Sequence, residues 1–353
     1  MKTTFLKLTL LLFAIPLLFG ACKENDDDIK PDDKPAELNN YTASGSYGDV
    51  IRYQIDETNH LFKYYNETTG ESDSGAYTKT NNANISGVYE IGFSGNTYHV
   101  IELADKVIAT SAPSGRLENK LCFGITADLN LSATYSMSDL AGKYLFITYD
   151  DFSSDENWGG YELLANGTFT WNIGPDDEAD FDVNTHFSGG GTGTWAISPT
   201  DPSRVIFTEA GIDYTGTIYP GKAMLLDNGV GQGYTIGINY PSTHVTQSAV
   251  AGSYRALDIT TDGETGVGTY TMPASGGNLS YYVNYSGVTG IDSGTATNFS
   301  PVPQINNMFK ASADYDGETF TTWFVLLPGE VMLHFSAGES TGLVGYGVGA
   351  KLD

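Results

Sequence analysis

Apolar and polar positions alternate along most of this chain. In "VIRYQID", Ile51, Tyr53 and Ile55 alternate with Arg52, Gln54 and Asp56. A period of two predicts a strand buried on one face only. "YELLANGTFTWNI" places Phe169, Trp171 and Ile173 on one face, after Asn166-Gly167. Asn and Gly both tolerate positive φ, so this pair predicts a two-residue hairpin turn, and Asp316-Gly317 in "ADYDGETFTTWF" predicts another. "NLSYYVNY" and "EVMLHFS" alternate too. No stretch of a dozen residues combines helical period with caps. The chain is all-β.

These segments recur in order. "SDLAGKYLFITY" is echoed by "SAVAGSYRALDI", and "TASGSYGDVIRY" at 42 is a fainter counterpart. "YHVIELADKVIATS", "YTGTIYPGKAMLLDN" and "FTTWFVLLPGEVMLHFS" form a second column, and "CFGITAD", "GYTIGINY" and "GYGVGAKL" a closing one. Repetition at one period signals tandem units. The expected organisation is β domains over 41–127, 137–241 and 247–353, each with about seven or eight strands. The architecture is tandem antiparallel β-barrels or β-sandwiches joined by short linkers. "LAGKYLFI" and "VAGSYRAL" open with apolar residue, Gly, any residue, aromatic, with Tyr144 and Tyr254 as the aromatic. This is similar to the Gly-x-Trp opening strand of lipocalins, over four residues per copy. The resemblance implies a barrel that could carry a small apolar ligand.

The net charge of -26 narrows the partners. So acidic a chain is repelled by nucleic acid and by anionic lipid head groups. At the amino end, Lys2 and Lys7 precede a run from Leu8 to Phe19. That run is about a dozen residues, short of the ~20 a spanning helix needs, so 1–21 reads as a signal peptide. Gly20 and Ala21 lead into Cys22. This resembles the lipobox of bacterial lipoproteins, with Phe19 in place of the usual small aliphatic residue. The resemblance implies cleavage before Cys22, a diacylglyceryl group on its thiol and an acylated amino terminus, a palmitate-type membrane anchor. Residues 22–40 are charged and patternless, a disordered acidic tether. Lys23 stands where an Asp would resemble an inner-membrane retention signal, and the acidic cluster resembles the surface-export signal of Bacteroidetes lipoproteins. The expected location is the outer membrane, with surface display. With Cys22 acylated, Cys122 is the one thiol left, and "KLCFGIT" places it in an apolar strand as a buried inert group.

Chemistry is sparse. His60, His99, His186, His244 and His334 show no metal-ligand spacing, and His99 and His334 fall in strands as structural residues. No Gly-x-Ser-x-Gly elbow is present. "GPDDEADFD" offers Asp176, Asp177 and Asp180 as calcium ligands without the spacing of a calcium loop. Paired loop carboxylates could equally serve a carbohydrate hydrolase. Aromatics abound, with 23 Tyr, 17 Phe and 4 Trp. Sugars stack on exposed rings. Trp158, in "DENWGGY" outside an alternating run, is the candidate exposed ring, while Trp171, Trp195 and Trp323 fit core positions. The reading favoured is a non-catalytic binding or adhesion lipoprotein, for glycans. The alternatives are a carbohydrate-active hydrolase and a lipocalin-like carrier of an apolar ligand.

Overall fold

The computed structural model describes residues 38–93, 96–111, 120–149, 158–175, 177–260, 263–285, 291–315 and 317–352. Cys22 and Asp176 lie outside them. The strands close into three eight-stranded antiparallel barrels, each strand pairing with its neighbours in sequence. This settles barrel against sandwich. The first comprises β1 (Leu38–Gly45), β2 (Val50–Asp56), β3 (Leu61–Asn66), β4 (Ser72–Lys79), β5 (Tyr89–Phe93), β6 (Asn96–Leu103), β7 (Val107–Thr110) and β8 (Cys122–Thr126). The second comprises β9 (Gly142–Tyr149), β10 (Trp158–Leu163), β11 (Thr168–Ile173), β12 (Gly191–Ile197), β13 (Val205–Glu209), β14 (Ile212–Tyr219), β15 (Ala223–Asp227) and β16 (Tyr234–Asn239). The third comprises β17 (Gly252–Thr260), β18 (Thr265–Met272), β19 (Leu279–Tyr285), β20 (Ile291–Pro301), β21 (Met308–Tyr315), β22 (Glu318–Leu326), β23 (Val331–Gly338) and β24 (Gly342–Lys351).

Register fixes how the copies correspond. Ala43 faces Gly124, Phe146 faces Gly237 and Ala256 faces Gly349 across the first and last strands of the three barrels. Tyr41, Tyr144 and Tyr254, two residues earlier on each first strand, are therefore equivalent, and all three are fully buried. This corrects the first copy's alignment. Gly45-x-Tyr47 resembles Gly142-x-Tyr144, yet Gly45 ends β1 and Tyr41 holds the aromatic position. Two four-residue helical turns, α1 (Leu131–Thr134) and α2 (Met137–Leu140), precede β9, and α3 (Gln247–Val250) precedes β17. Asp139 and Ser136 form a capping box at α2, which seats Leu140 in the second barrel's core. The Asn166-Gly167 hairpin also differs from expectation. Only Gly167 takes positive φ (84°), Leu164 N–H donates to the Thr168 carbonyl at 2.9 Å, and the turn runs through Ala165, Asn166 and Gly167. One left-handed residue after a type I turn makes the three-residue loop with a bulge.

Each barrel is filled by its own side chains. Tyr53, Phe62, Tyr64 and Val100 pack the first, Phe146, Phe169, Phe207 and Trp195 the second, Phe299, Phe309, Phe324 and Met332 the third. A fourth core lies between barrels, where outward residues of all three meet, among them Phe123, Ile236 and Leu333. Residues from Glu37 to Asp353 accordingly form one compact unit. Strands at the junction are buried on both faces, β8 and β15 along their whole length. That is why they read as apolar runs rather than alternations. Strands far from it show polar outer faces: Ser72, Ser74 and Thr78 on β4, Thr192 and Thr194 on β12, Ser293 and Thr295 on β20 are exposed. A barrel crossing lipid needs an apolar outer band, so these hydroxyl faces meet water.

Candidate functional site

Trp158 and the acidic loop come together, but not as a free loop surface. Trp158 begins β10, and its ring stacks on Phe181 at 5.8 Å with the planes inclined by 29°. Phe181, His186 and Phe187 belong to the excursion between β11 and β12, which folds over the outer face of β10. There a Cβ on Gly160 would collide with the His186 carbonyl oxygen and the Phe187 ring. This corrects the expectation for Trp158, whose ring is partly buried among these aromatics. Asp177 caps a 3-10 turn (Glu178–Asp180), its Oδ1 accepting from Ala179 N–H at 2.8 Å, and Asp180 is exposed within that turn. Among the described residues no three His, Cys, Asp or Glu side chains converge as a metal-binding group. Glu178 instead pairs with Lys310, tying the excursion to the third barrel.

The exposed polar–aromatic constellation is at the mouth of the second barrel. Trp171 and Tyr214 point inward from β11 and β14 and are half-buried. The Trp171 Nε1–H donates to Glu209 Oε1 at 2.9 Å. Tyr161 lies below, 6.3 Å from the Trp171 ring and 4.9 Å from Phe146. Burial, then the nearby Glu209 carboxylate, push the Tyr161 phenol up, so it stays protonated. On the facing wall, the Thr148 and Thr235 hydroxyls are 3.0 Å apart and Asn228 Nδ2 donates to Thr235 at 3.2 Å. Two small residues make the room: a Cβ on Gly191 would strike Trp171 and Glu209, and one on Gly193 would strike the Phe169 ring. An indole, a phenol, a carboxylate, an amide and hydroxyls around an aromatic floor suit a polyhydroxylated ring with one apolar face. Glycoside hydrolysis needs two carboxyl groups across the scissile bond. Among the described residues, Glu209 is the carboxylate facing inward here. Asp213 points outward and accepts from Thr208 at 2.6 Å.

The third barrel differs from the others at this height. Asp258 on β17, Gly347 on β24 and His334 on β23 lie side by side across three adjacent strands. A Cβ on Gly347 would collide with both flanking side chains. Without one, His334 Nε2 meets Asp258 Oδ1 at 2.7 Å, and the Tyr270 hydroxyl donates to the same oxygen at 3.3 Å. The corresponding residues are Thr148, Thr235 and Leu226 in the second barrel and Gly45, Cys122 and Thr110 in the first. Reading His334 as an ordinary strand residue missed this pair. The signal was a histidine where the aligned copies carry Leu226 and Thr110.

Fold and site together define an all-β protein of three fused eight-stranded barrels with chemically distinct mouths. No known protein family and no curated protein matches the sequence. Among solved structures, a protein of unknown function from the DUF3598 family of Nostoc punctiforme is similar at 10% identity, over 89% of this chain and 94% of that one, with a TM-score of 0.23. Transferrin-binding protein B of serogroup B Neisseria meningitidis is similar at 12% identity, over 86% of this chain and 65% of that one, with a TM-score of 0.28. The counterpart from Haemophilus parasuis, a double mutant, gives 10% identity, 90% and 66% coverage, and a TM-score of 0.27. The chain spans about two thirds of these two binding proteins. Likenesses at such scores carry no inference about what this chain does.

Proposed function

We propose that this chain is a lipid-anchored outer-membrane protein that binds a glycan, without catalysis, at the mouth of its second barrel. The observation that carries the reading is the half-buried Trp171 with its indole N–H fixed by Glu209 over an aromatic floor. A ring held in place before the ligand arrives loses little freedom on binding. The filled interiors disfavour the apolar carrier, because aromatic side chains occupy the space such a ligand would need. The lone inward carboxylate among the described residues of this mouth disfavours the hydrolase. Cys22 is the proposed lipid anchor and the acidic residues after it the proposed surface-export signal.

A glycan array probed with residues 37–353 tests the binding. Hits should be lost in Trp171→Ala and weakened about tenfold or more in Glu209→Gln, as for one charge-assisted hydrogen bond. No hit, or hits that both variants retain, would overturn the reading. Metabolic labelling with a palmitate analogue tests the anchor. The wild-type chain should take the label and Cys22→Ser should not.

A further inference from the structure

We infer that the mouth of the third barrel is a second binding site, for a small organic cation. Tyr281 and Tyr285 are inward residues of β19 on either side of the buried Val283 and are half-buried, and Asp292, opposite Val283 on β20, is exposed. The Tyr281 hydroxyl bonds the Asp292 carboxyl, and burial raises that carboxyl's pKa although this bond opposes the rise. Beneath the two phenols lies the Asp258–His334 pair, each side chain over nine-tenths buried. Asp258 Oδ2 and His334 Nδ1 have no hydrogen-bond partner. Burial pushes the Tyr285 phenol up, and the next causes are the charges of Asp258 and Asp292, with Glu264 adding to them.

These observations specify the ligand's chemistry. Two carboxyl groups and an imidazole make an acceptor-rich mouth, because Nδ1 of an imidazole that donates through Nε2 alone presents a lone pair. The Tyr281 and Tyr285 rings offer π faces to a cation within reach of the carboxylates. An ammonium group satisfies both kinds of wall at once, and an uncharged polyol satisfies only one. The difference between copies supports a site rather than a shared structural need. At the same height the second barrel manages with Thr148, Thr235 and Leu226 and the first with Gly45, Cys122 and Thr110. Unpaired buried polar atoms cost stability, so Oδ2 and Nδ1 are poorly explained by folding alone.

Calorimetric titration of residues 37–353 with n-butylammonium chloride tests the proposal, with n-butanol and calcium chloride as comparators. Saturable binding of the amine at concentrations up to about 10 mM is expected, with none of the alcohol. Asp292→Asn should weaken it about tenfold or more, the loss of one charge-assisted contact. The double variant Asp258→Thr, His334→Leu installs the second barrel's residues, which fold in that setting, and should weaken it at least as much. In the wild type the His334 imidazole nitrogen resonances should move with the titration. Trp171→Ala should leave amine binding unchanged, so this site and the glycan site stand or fall separately. Absent amine binding, equal binding of butanol, calcium binding in place of the amine, or wild-type affinity in both variants would each overturn it.

Discussion

Asp227→Asn should stabilise the protein at neutral pH and do almost nothing in mild acid. Asp227 ends β15 on its outward side, 7% exposed, where the second barrel meets the first. Burial raises its carboxyl to about 6 from an ordinary 3.8, and the nearby Asp49 charge adds to the rise. The Gly229 N–H, the Ser44 hydroxyl and the Arg204 charge oppose it without cancelling it. The folded protein therefore holds a proton, between about pH 4 and 6, that the unfolded chain has released. The stability tied to that proton is complete below the unfolded value, declines as pH rises through the folded one, and is absent above it. Ionising a carboxyl that prefers about 6 to 3.8 costs about 3 kcal/mol at 1.36 kcal/mol per pH unit. Asparagine keeps the acceptor that Gly229 N–H uses at 2.8 Å and carries no charge. For roughly 300 residues, at about 2.1 cal/mol/K each, 3 kcal/mol corresponds to a rise of about 4–5 °C in Tm. Melting curves of wild type and variant at about pH 7.5 and about pH 4 measure it, and the difference between the two pH values isolates Asp227 from other titrations. Equal Tm changes at both pH values, or a fall at both, would refute the reasoning. The carboxylate would then be worth more as a hydrogen-bond acceptor than its burial costs.

Two further predictions concern the junction and the acidic excursion. Gly48 sits at φ 82° where a Cβ would collide with the Gly229 carbonyl oxygen, so Gly48→Ala should cost about 3 kcal/mol or more by denaturant unfolding. Gly229→Ala, at φ 95° with open space around it, should cost only the backbone strain of about 1 kcal/mol, which separates collision from conformation. Tm should be the same in calcium and in chelator, and a rise of several degrees with calcium would mean that Asp177 and Asp180 gain partners not seen here.

The sequence discloses a strand's face better than its height in a barrel. Ile51, Tyr53 and Ile55 were assignable because the other face of β2 is polar, carrying Arg52, Gln54 and Asp56, and alternation records that contrast directly. β8 and β15 read as apolar runs, but their second buried face depends on neighbouring barrels, and no local pattern encodes a contact between residues as distant as Phe123 and Leu333. The two tryptophans carry the same lesson. Trp171 fits an inward alternation and reads as core, yet it is inward near the end of its strand, where inside means facing the mouth. Trp158 breaks the alternation and reads as exposed, yet the excursion supplies Phe181 to partner it. Height becomes legible only when copies are aligned. Once Gly124, Gly237 and Gly349 are placed in one row, the next inward positions fall into line: Gly45, Thr148 and Asp258 on the first strands, Thr110, Leu226 and His334 on the seventh. A shared fold needs only that such positions be filled, so where one copy fills them with an acid and an imidazole, folding is not the sufficient cause. The aligned glycines thus locate the residues whose identity the barrel itself leaves unexplained.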